Sequence, residues 1–207
     1  MADEEIGIKV TLIGESSVGK TCIINKFCKN IFDAEIDSTL GANYSQKKIE
    51  KNGLKIRLDL WDTAGQEKYR AIGRHFYKES YIVCLVYDIT NKESFENLKK
   101  IWYPELVEYG EKYRIIALIG NKVDLYLDEE VSEEKGKEFA NEINAVFMRT
   151  SALNDTGIEE LFDELVEKYL KEVKGQILEE NKNDKKKDEN IKINGKTDKK
   201  DKKGLKC

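Results

Sequence analysis

The sequence predicts an α/β fold of the phosphate-loop type: a six-stranded, mostly parallel sheet with helices on both faces, followed by a basic tail. Three observations carry this expectation. Apolar runs of strand length alternate with amphipathic helical stretches, the pattern of a parallel sheet joined by crossover helices. The stretch Gly14-Glu15-Ser16-Ser17-Val18-Gly19-Lys20-Thr21 fits G-x-x-x-x-G-K-[ST] between the first strand and the first helix. Near Lys174 the apolar period ends and Lys, Asn, Asp and Glu take over, which marks a disordered tail. The expected division is a domain over 1–174 and a tail over 175–207.

The elements follow in order. Ile6–Ile13 alternates loosely and ends at Gly14, as a buried first strand does. A helix is expected from Lys20 to Cys28, then an irregular polar stretch, Lys29–Gly41. Asn43–Glu50 and Leu54–Trp61 alternate around Lys51-Asn52-Gly53 and read as a hairpin. Tyr81–Asp88 and Arg114–Asn121 are apolar strands. Between them Ser94 opens a helix that runs to about Gly110, with a kink expected at Pro104. Helices over Ser132–Ile143 and Gly157–Lys171 flank a short strand, Val146–Thr150.

Composition narrows the class. The 207 residues are 37% charged and 40% hydrophobic, with a formal charge of −4. That charge is uneven: from Lys182 onward 11 Lys face five acidic residues, a net of +6, so the first 181 residues hold −10. An acidic body argues against nucleic-acid binding. The longest apolar run, Tyr81–Tyr87, is too short to span a bilayer. The start, Met-Ala-Asp-Glu-Glu, lacks signal-peptide character and the glycine that myristoylation needs. Four Cys without a C-x-x-C pair do not suggest a disulfide scaffold or structural zinc. Cys22, Cys28 and Cys84 read as small buried residues.

The motifs carry the chemistry. In a phosphate loop the glycines let successive N–H groups face the phosphates at the positive end of a helix. Lys20 would bridge the β- and γ-phosphates, and the Thr21 hydroxyl would ligate Mg²⁺. Asp62-Thr-Ala-Gly65 closes the third strand, where Asp62 could hold Mg²⁺ through water and the Gly65 N–H could meet the γ-phosphate. Gln66, immediately after, could orient an attacking water. Asn121-Lys122-Val123-Asp124 follows a later strand at the same sheet edge. A carboxylate there accepts from guanine N1–H and the N2 amine together, and adenine would leave it unpaired. Lys122 can lie over the base and Asn121 can tie neighbouring loops. Thr150-Ser151-Ala152-Leu153 could present N–H groups to guanine O6, and Phe32 could pack against the base.

In this order the motifs resemble the Ras superfamily of small GTPases, over about residues 6–170. Trp61-Asp-Thr-Ala-Gly-Gln-Glu67, Leu85-Val-Tyr-Asp-Ile-Thr-Asn91 and Ser94-Phe-Glu-Asn97 are similar to the Rab branch, whereas Trp102-Tyr-Pro104-Glu is similar to a Rho helix. The resemblance implies a G domain that binds GTP and GDP with Mg²⁺ and hydrolyses GTP. It implies nucleotide contacts from Gly14 through Cys22, Thr39 as the switch I threonine on Mg²⁺ and the γ-phosphate, and Phe32 at the base. Tyr44, Trp61 and Phe76 fall on the aromatic triad that effectors read. It also implies an exchange factor, a GTPase-activating protein, a GDP dissociation inhibitor or escort protein, and a monomer cycling between cytosol and endomembranes in vesicle trafficking. A weakly hydrolysing GTP-binding interaction module, or another branch of the superfamily, is the alternative. Cys207, at the end of the Lys-rich tail, is not in a C-a-a-X box. It is expected to be prenylated by a Rab-type pathway, with six Lys between Lys196 and Lys206 favouring anionic membrane.

Overall fold

A computed structural model of the protein describes residues 5–34, 39, 41–65, 78, 80–110 and 114–173. The expectations for Gln66, Phe76, Cys207 and the tail from 175 onward lie outside the described residues. The chain divides into a compact unit, Met1–Tyr169, and a second, Leu170–Cys207.

Six strands form one sheet: β1 (Ile6–Ile13), β2 (Ala42–Lys51), β3 (Leu54–Thr63), β4 (Ile82–Asp88), β5 (Ile115–Asn121) and β6 (Val146–Thr150). Their spatial order is β2-β3-β1-β4-β5-β6. All neighbours are parallel except the β2–β3 hairpin, so the predicted mixed sheet is present. The hairpin turns at Asn52 and Gly53, both left-handed with φ of 54° and 72°, which suits the right-handed twist of the strands they join.

Because β1, β3, β4, β5 and β6 run the same way, their carboxyl ends share one edge. Chain order reverses about β1, flanked by β3 on one side and β4 on the other, and ligands of such sheets sit at that reversal. Register makes the edge exact at the residue level: Asp88 pairs with Asn121, and Asn121 with Thr150. Thr63 at the end of β3 donates its hydroxyl to the Leu12 carbonyl of β1 at 2.7 Å.

Helices cover both faces. α1 (Lys20–Lys29) presents Ile23, Ile24 and Phe27 inward. α5 (Ile158–Lys168) buries Ile158, Leu161, Phe162, Leu165 and Val166, a stripe at helical spacing. The two helices meet through Phe27 and Phe162, stacked at 3.8 Å between ring centres. Against the other face lie α2 (Lys92–Asn97), α3 (Tyr103–Tyr109) and α4 (Glu133–Glu142), with Phe95, Leu98, Trp102, Leu106 and Phe139 in one core cluster. The Ser132 hydroxyl caps α4 by accepting from the Lys135 N–H.

One expectation about the β4–β5 crossover is corrected and one is sharpened. The helix opens at Lys92 under an Asn91 cap, whose side chain accepts from the Ser94 N–H at 3.0 Å, so Ser94 lies inside it. The irregularity expected at Pro104 lies directly before it, as a π turn over Leu98–Trp102, and the backbone stays helical through Trp102 and Tyr103. The C-terminal helix also stops earlier than expected, at Lys168, and a π turn follows over Tyr169–Val173. Cys84 is fully buried as expected, but Cys22 and Cys28 are only half-buried. They lie on α1 beside its inward face.

Candidate functional site

The carboxyl edge of the sheet opens into a cavity of about 390 Å³. Its phosphate-loop end is defined by backbone conformation. Gly14 and Gly19 have φ of 142° and 95°, and Ser17 is left-handed at 63°. Gly19 stands directly before α1, and no side chain caps that helix start. Its first N–H groups therefore point at the cavity with the positive end of the helix dipole, a ready anion site. A Cβ on Gly19 would overlap the Asn121 amide, and one on Gly65 would overlap the backbone of Glu15 and Ser16. These two glycines let the base-side and β3 segments close on the loop.

Lys20 is 5% exposed and donates to the carbonyls of Gly14 at 2.9 Å and Glu15 at 2.6 Å. Burial pulls its ammonium down to about 8, opposed by the charges of Asp62 and Glu15. A cation held this way lacks a full counter-charge and suits an incoming phosphate.

Beside it, the Thr21 and Thr39 hydroxyls donate to Asp62 Oδ2 at 2.7 and 3.1 Å, and the two hydroxyl oxygens are 3.1 Å apart. Asp62 is 2% exposed. Burial raises its carboxyl above the usual range, against the Thr21 hydrogen bond, the Lys20 charge and the Thr39 bond. Its second oxygen, Oδ1, is buried without a hydrogen-bond partner. An orphaned carboxylate oxygen costs free energy in a low-dielectric site. With two hydroxyls alongside, it completes a hard-oxygen set that fits Mg²⁺. The residues present therefore fit the ion.

The opposite end is assembled by side chains. Asn121, 2% exposed, donates to the Val18 carbonyl at 2.8 Å and accepts from the Thr150 hydroxyl at 3.0 Å. Ser151 donates to Asp124 Oδ1 at 2.5 Å and accepts from the Asn154 N–H. Lys122 is left-handed at φ 69° and pairs with Asp88 at 2.6 Å. Asp88 also accepts from the Thr90 N–H and hydroxyl. The turn Val123–Asp128 presents Asp124 to the cavity, where Phe32, Lys122, Ala152 and Leu153 also lie.

Of the residues expected at the site, Ser16, Ser17, Gly19, Lys20, Thr21, Cys22, Phe32, Thr39, Gly65, Asn121, Lys122, Asp124, Ala152 and Leu153 line this cavity. Gly14, Glu15, Val18, Asp62 and Ser151 stand behind the lining. Gly14, Glu15 and Val18 act through their carbonyls, and Asp62 and Ser151 through the side-chain bonds above. Thr63, inside the Asp62–Gly65 motif, also lines it, as do Asp33, Ala34 and Leu125, which carried no sequence signal. Asp88 was likewise not anticipated; its register opposite Asn121 is the signal that finds it. Away from the cavity, Tyr44 and Trp61 face each other across the hairpin, ring centres 5.3 Å apart. Tyr44 is 52% exposed, and its hydroxyl donates to Asp59 at 2.5 Å.

Strand order, the loop ahead of α1 and the cavity at the carboxyl edge are those of a G domain of the phosphate-loop class. The family model of the Ras family matches residues 9–171, and the chain belongs to this family of small GTPases. It is 36% identical over 181 residues to Ras-related protein Rab-30 of Homo sapiens, covering 87% of this chain and 89% of that protein. Ras-related protein RabC of Dictyostelium discoideum is 37% identical, with 86% and 92% covered. GTP-binding protein ypt3 of Schizosaccharomyces pombe is 39% identical over 171 residues, with 83% and 79% covered.

Proposed function

We propose that the protein is a Rab-type switch: it holds GDP or GTP with Mg²⁺, hydrolyses GTP to GDP and phosphate, and recruits effectors to endomembranes in vesicle trafficking. One observation supports this reading above the others. The cavity is lined by a buried ammonium, backed by an orphaned carboxylate oxygen, and also by a hydroxyl-tethered carboxylate. The first two suit phosphates with a divalent cation, and the last suits the paired donors of guanine.

Within it, Lys20 and the N–H groups from Gly14 to Cys22 hold the phosphates. Thr21, Thr39 and Asp62 hold Mg²⁺, which when bound supplies positive charge to the phosphate oxygens. Asp124 accepts from guanine N1–H and the N2 amine, Ser151 orients Asp124, and the Ala152 and Leu153 backbone faces O6. Lys122 lays its stem over the base and Phe32 packs edge-on to it. Gln66 aligns the water for attack on the γ-phosphorus, and the bond to the β-phosphate oxygen breaks. Such a reaction needs water alignment and charge stabilisation; Gln66 supplies the first and no arginine is assigned as an internal finger for the second, so intrinsic turnover is slow. A GTPase-activating protein adds roughly 10³–10⁵ in rate. Loss of the γ-phosphate frees Thr39 and Gly65, so the segments that carry them, around 29–44 and 62–76, read the nucleotide as switches.

Single-turnover hydrolysis tests the catalytic part: Gln66→Leu retains GTP and loses most hydrolysis. Wild-type speed in that variant would remove Gln66 from the chemistry, and absence of hydrolysis in the wild-type protein would leave a GTP-binding interaction module. Exchange factors, a dissociation inhibitor or escort protein, and effectors at Tyr44, Trp61 and Phe76 are the partners of this reading. Its membrane part rests on a prenylated Cys207 and the tail lysines, two weak signals acting together. Among the described residues no helix is long and apolar enough to cross a membrane. Cys207→Ser shifts the protein from membrane to cytosolic fractions; an unchanged distribution removes the anchor.

A further inference from the structure

We propose that Trp102, on the far crossover helix, is a positioning residue for the phosphate loop, acting through the Glu15 carboxylate. The inference rests on the guanine-nucleotide reading above and concerns how tightly that nucleotide is kept.

The indole is 1% exposed and belongs to the core cluster under α2, α3 and α4. A buried indole N–H needs an acceptor. Here Nε1 donates to Glu15 Oε1 at 3.0 Å, a charge-assisted bond to the second residue of the phosphate loop. Glu15 does not line the cavity, although its neighbours Ser16 and Ser17 do. Its carbonyl is meanwhile an acceptor for Lys20 at 2.6 Å. The same residue thus holds the phosphate-binding ammonium with its backbone and is held by Trp102 with its side chain.

The direction of the indole follows from the π turn. The Tyr103 N–H reaches back to the Leu98 carbonyl, one residue further than in an α-helix, so the segment contains an extra residue. One residue turns a helical side chain by about 100°, and such turns recur at functional sites. The turn aims Trp102 at the loop. With its carboxylate bonded to the indole, Glu15 keeps its carbonyl in place for Lys20; without that bond the loop and its ammonium loosen.

Release of fluorescent GDP from full-length protein tests this. Trp102→Phe keeps most of the core volume and removes the N–H; release is expected to quicken roughly 3- to 30-fold. Glu15→Ala removes the acceptor without touching the core and should match it. Glu15→Gln, which keeps an acceptor, should stay within about threefold of wild type. The double variant Trp102→Phe/Glu15→Ala should release no faster than the faster single variant, since the two groups act as one. In the GDP-bound protein the Trp102 indole N–H proton should move upfield in Glu15→Ala. Unchanged release in Glu15→Ala, additive effects in the double variant, or an unmoved indole resonance would each overturn the proposal. Wild-type protein that retains no GDP overturns instead the nucleotide reading on which it stands.

Discussion

At one end of the cavity the groups proposed to bind are main-chain N–H groups and one buried ammonium, all from Gly14–Thr21, with Thr39 and Asp62 brought alongside. At the other, three separate parts of the chain contribute, Asn121–Asp124, Ser151–Leu153 and Phe32, and the first two are locked by side-chain bonds. The difference is chemical. Phosphate is recognised by charge and by any dense row of N–H donors, which a single bent loop can supply. A base is recognised by the order of its donors and acceptors, which demands side chains fixed by neighbours. On the proposed reading the phosphate end therefore sets how tightly a nucleotide is held, and the base end sets which one.

The largest expected effect separates these roles. Asp124→Asn keeps an oxygen for the Ser151 hydroxyl, so the local structure should survive, but it replaces one acceptor with a donor. Guanine then meets N–H against N–H, whereas xanthine, with a carbonyl where guanine has the amine, pairs correctly. The affinity ratio of GDP to XDP should fall by about 10²–10⁴-fold, measured by competitive displacement of a fluorescent nucleotide. An unaltered ratio would place base selection elsewhere.

At the phosphate end the corresponding change is Asp62→Ala. In wild-type protein, chelating Mg²⁺ with EDTA should speed GDP release on the order of 10²-fold, because the ion's charge on the phosphate oxygens is lost. In Asp62→Ala release should be fast from the start and nearly insensitive to EDTA, while the preference for guanine stays. If EDTA accelerates both proteins equally, the orphaned Oδ1 has another role.

The same contrast explains what could be read in the chain. Gly14–Thr21 and Asn121–Asp124 are short contiguous patterns, and the alternation of Ile56, Leu58 and Leu60 on β3 fixes which face is buried; each is local and therefore visible. Asp88 serves Lys122 only because β4 and β5 are in register, and Trp102 meets Glu15 across 87 residues, so neither leaves a local trace. Pro104 was only partly legible for a related reason. Proline announces a break when it sits mid-helix, but that the break takes the form of a π turn just before Pro104, in backbone that stays helical, has no residue signature. Asn91 displaced Ser94 as the cap because the Ser94 hydroxyl is already used, donating to the Asn91 carbonyl at 2.7 Å and accepting from the Asp88 N–H.

The smallest effect asks whether the two ends are coupled. Asn121 is the one described side chain that grips both: it donates to Val18 in the phosphate loop and accepts from Thr150 at the base side. Thr150 is fully buried, so Thr150→Val removes its hydroxyl with little change of shape and leaves an unpaired acceptor on Asn121. The cost should be about 1–2 kcal/mol of stability, or roughly 3–6 °C in Tm for a domain of this size. If the Asn121 amide then loosens from Val18, GDP release should rise a few-fold although Thr150 does not line the cavity. A drop in Tm with unchanged release would mean that the Val18 bond holds alone, and that the phosphate end keeps its shape whether or not the base end is braced.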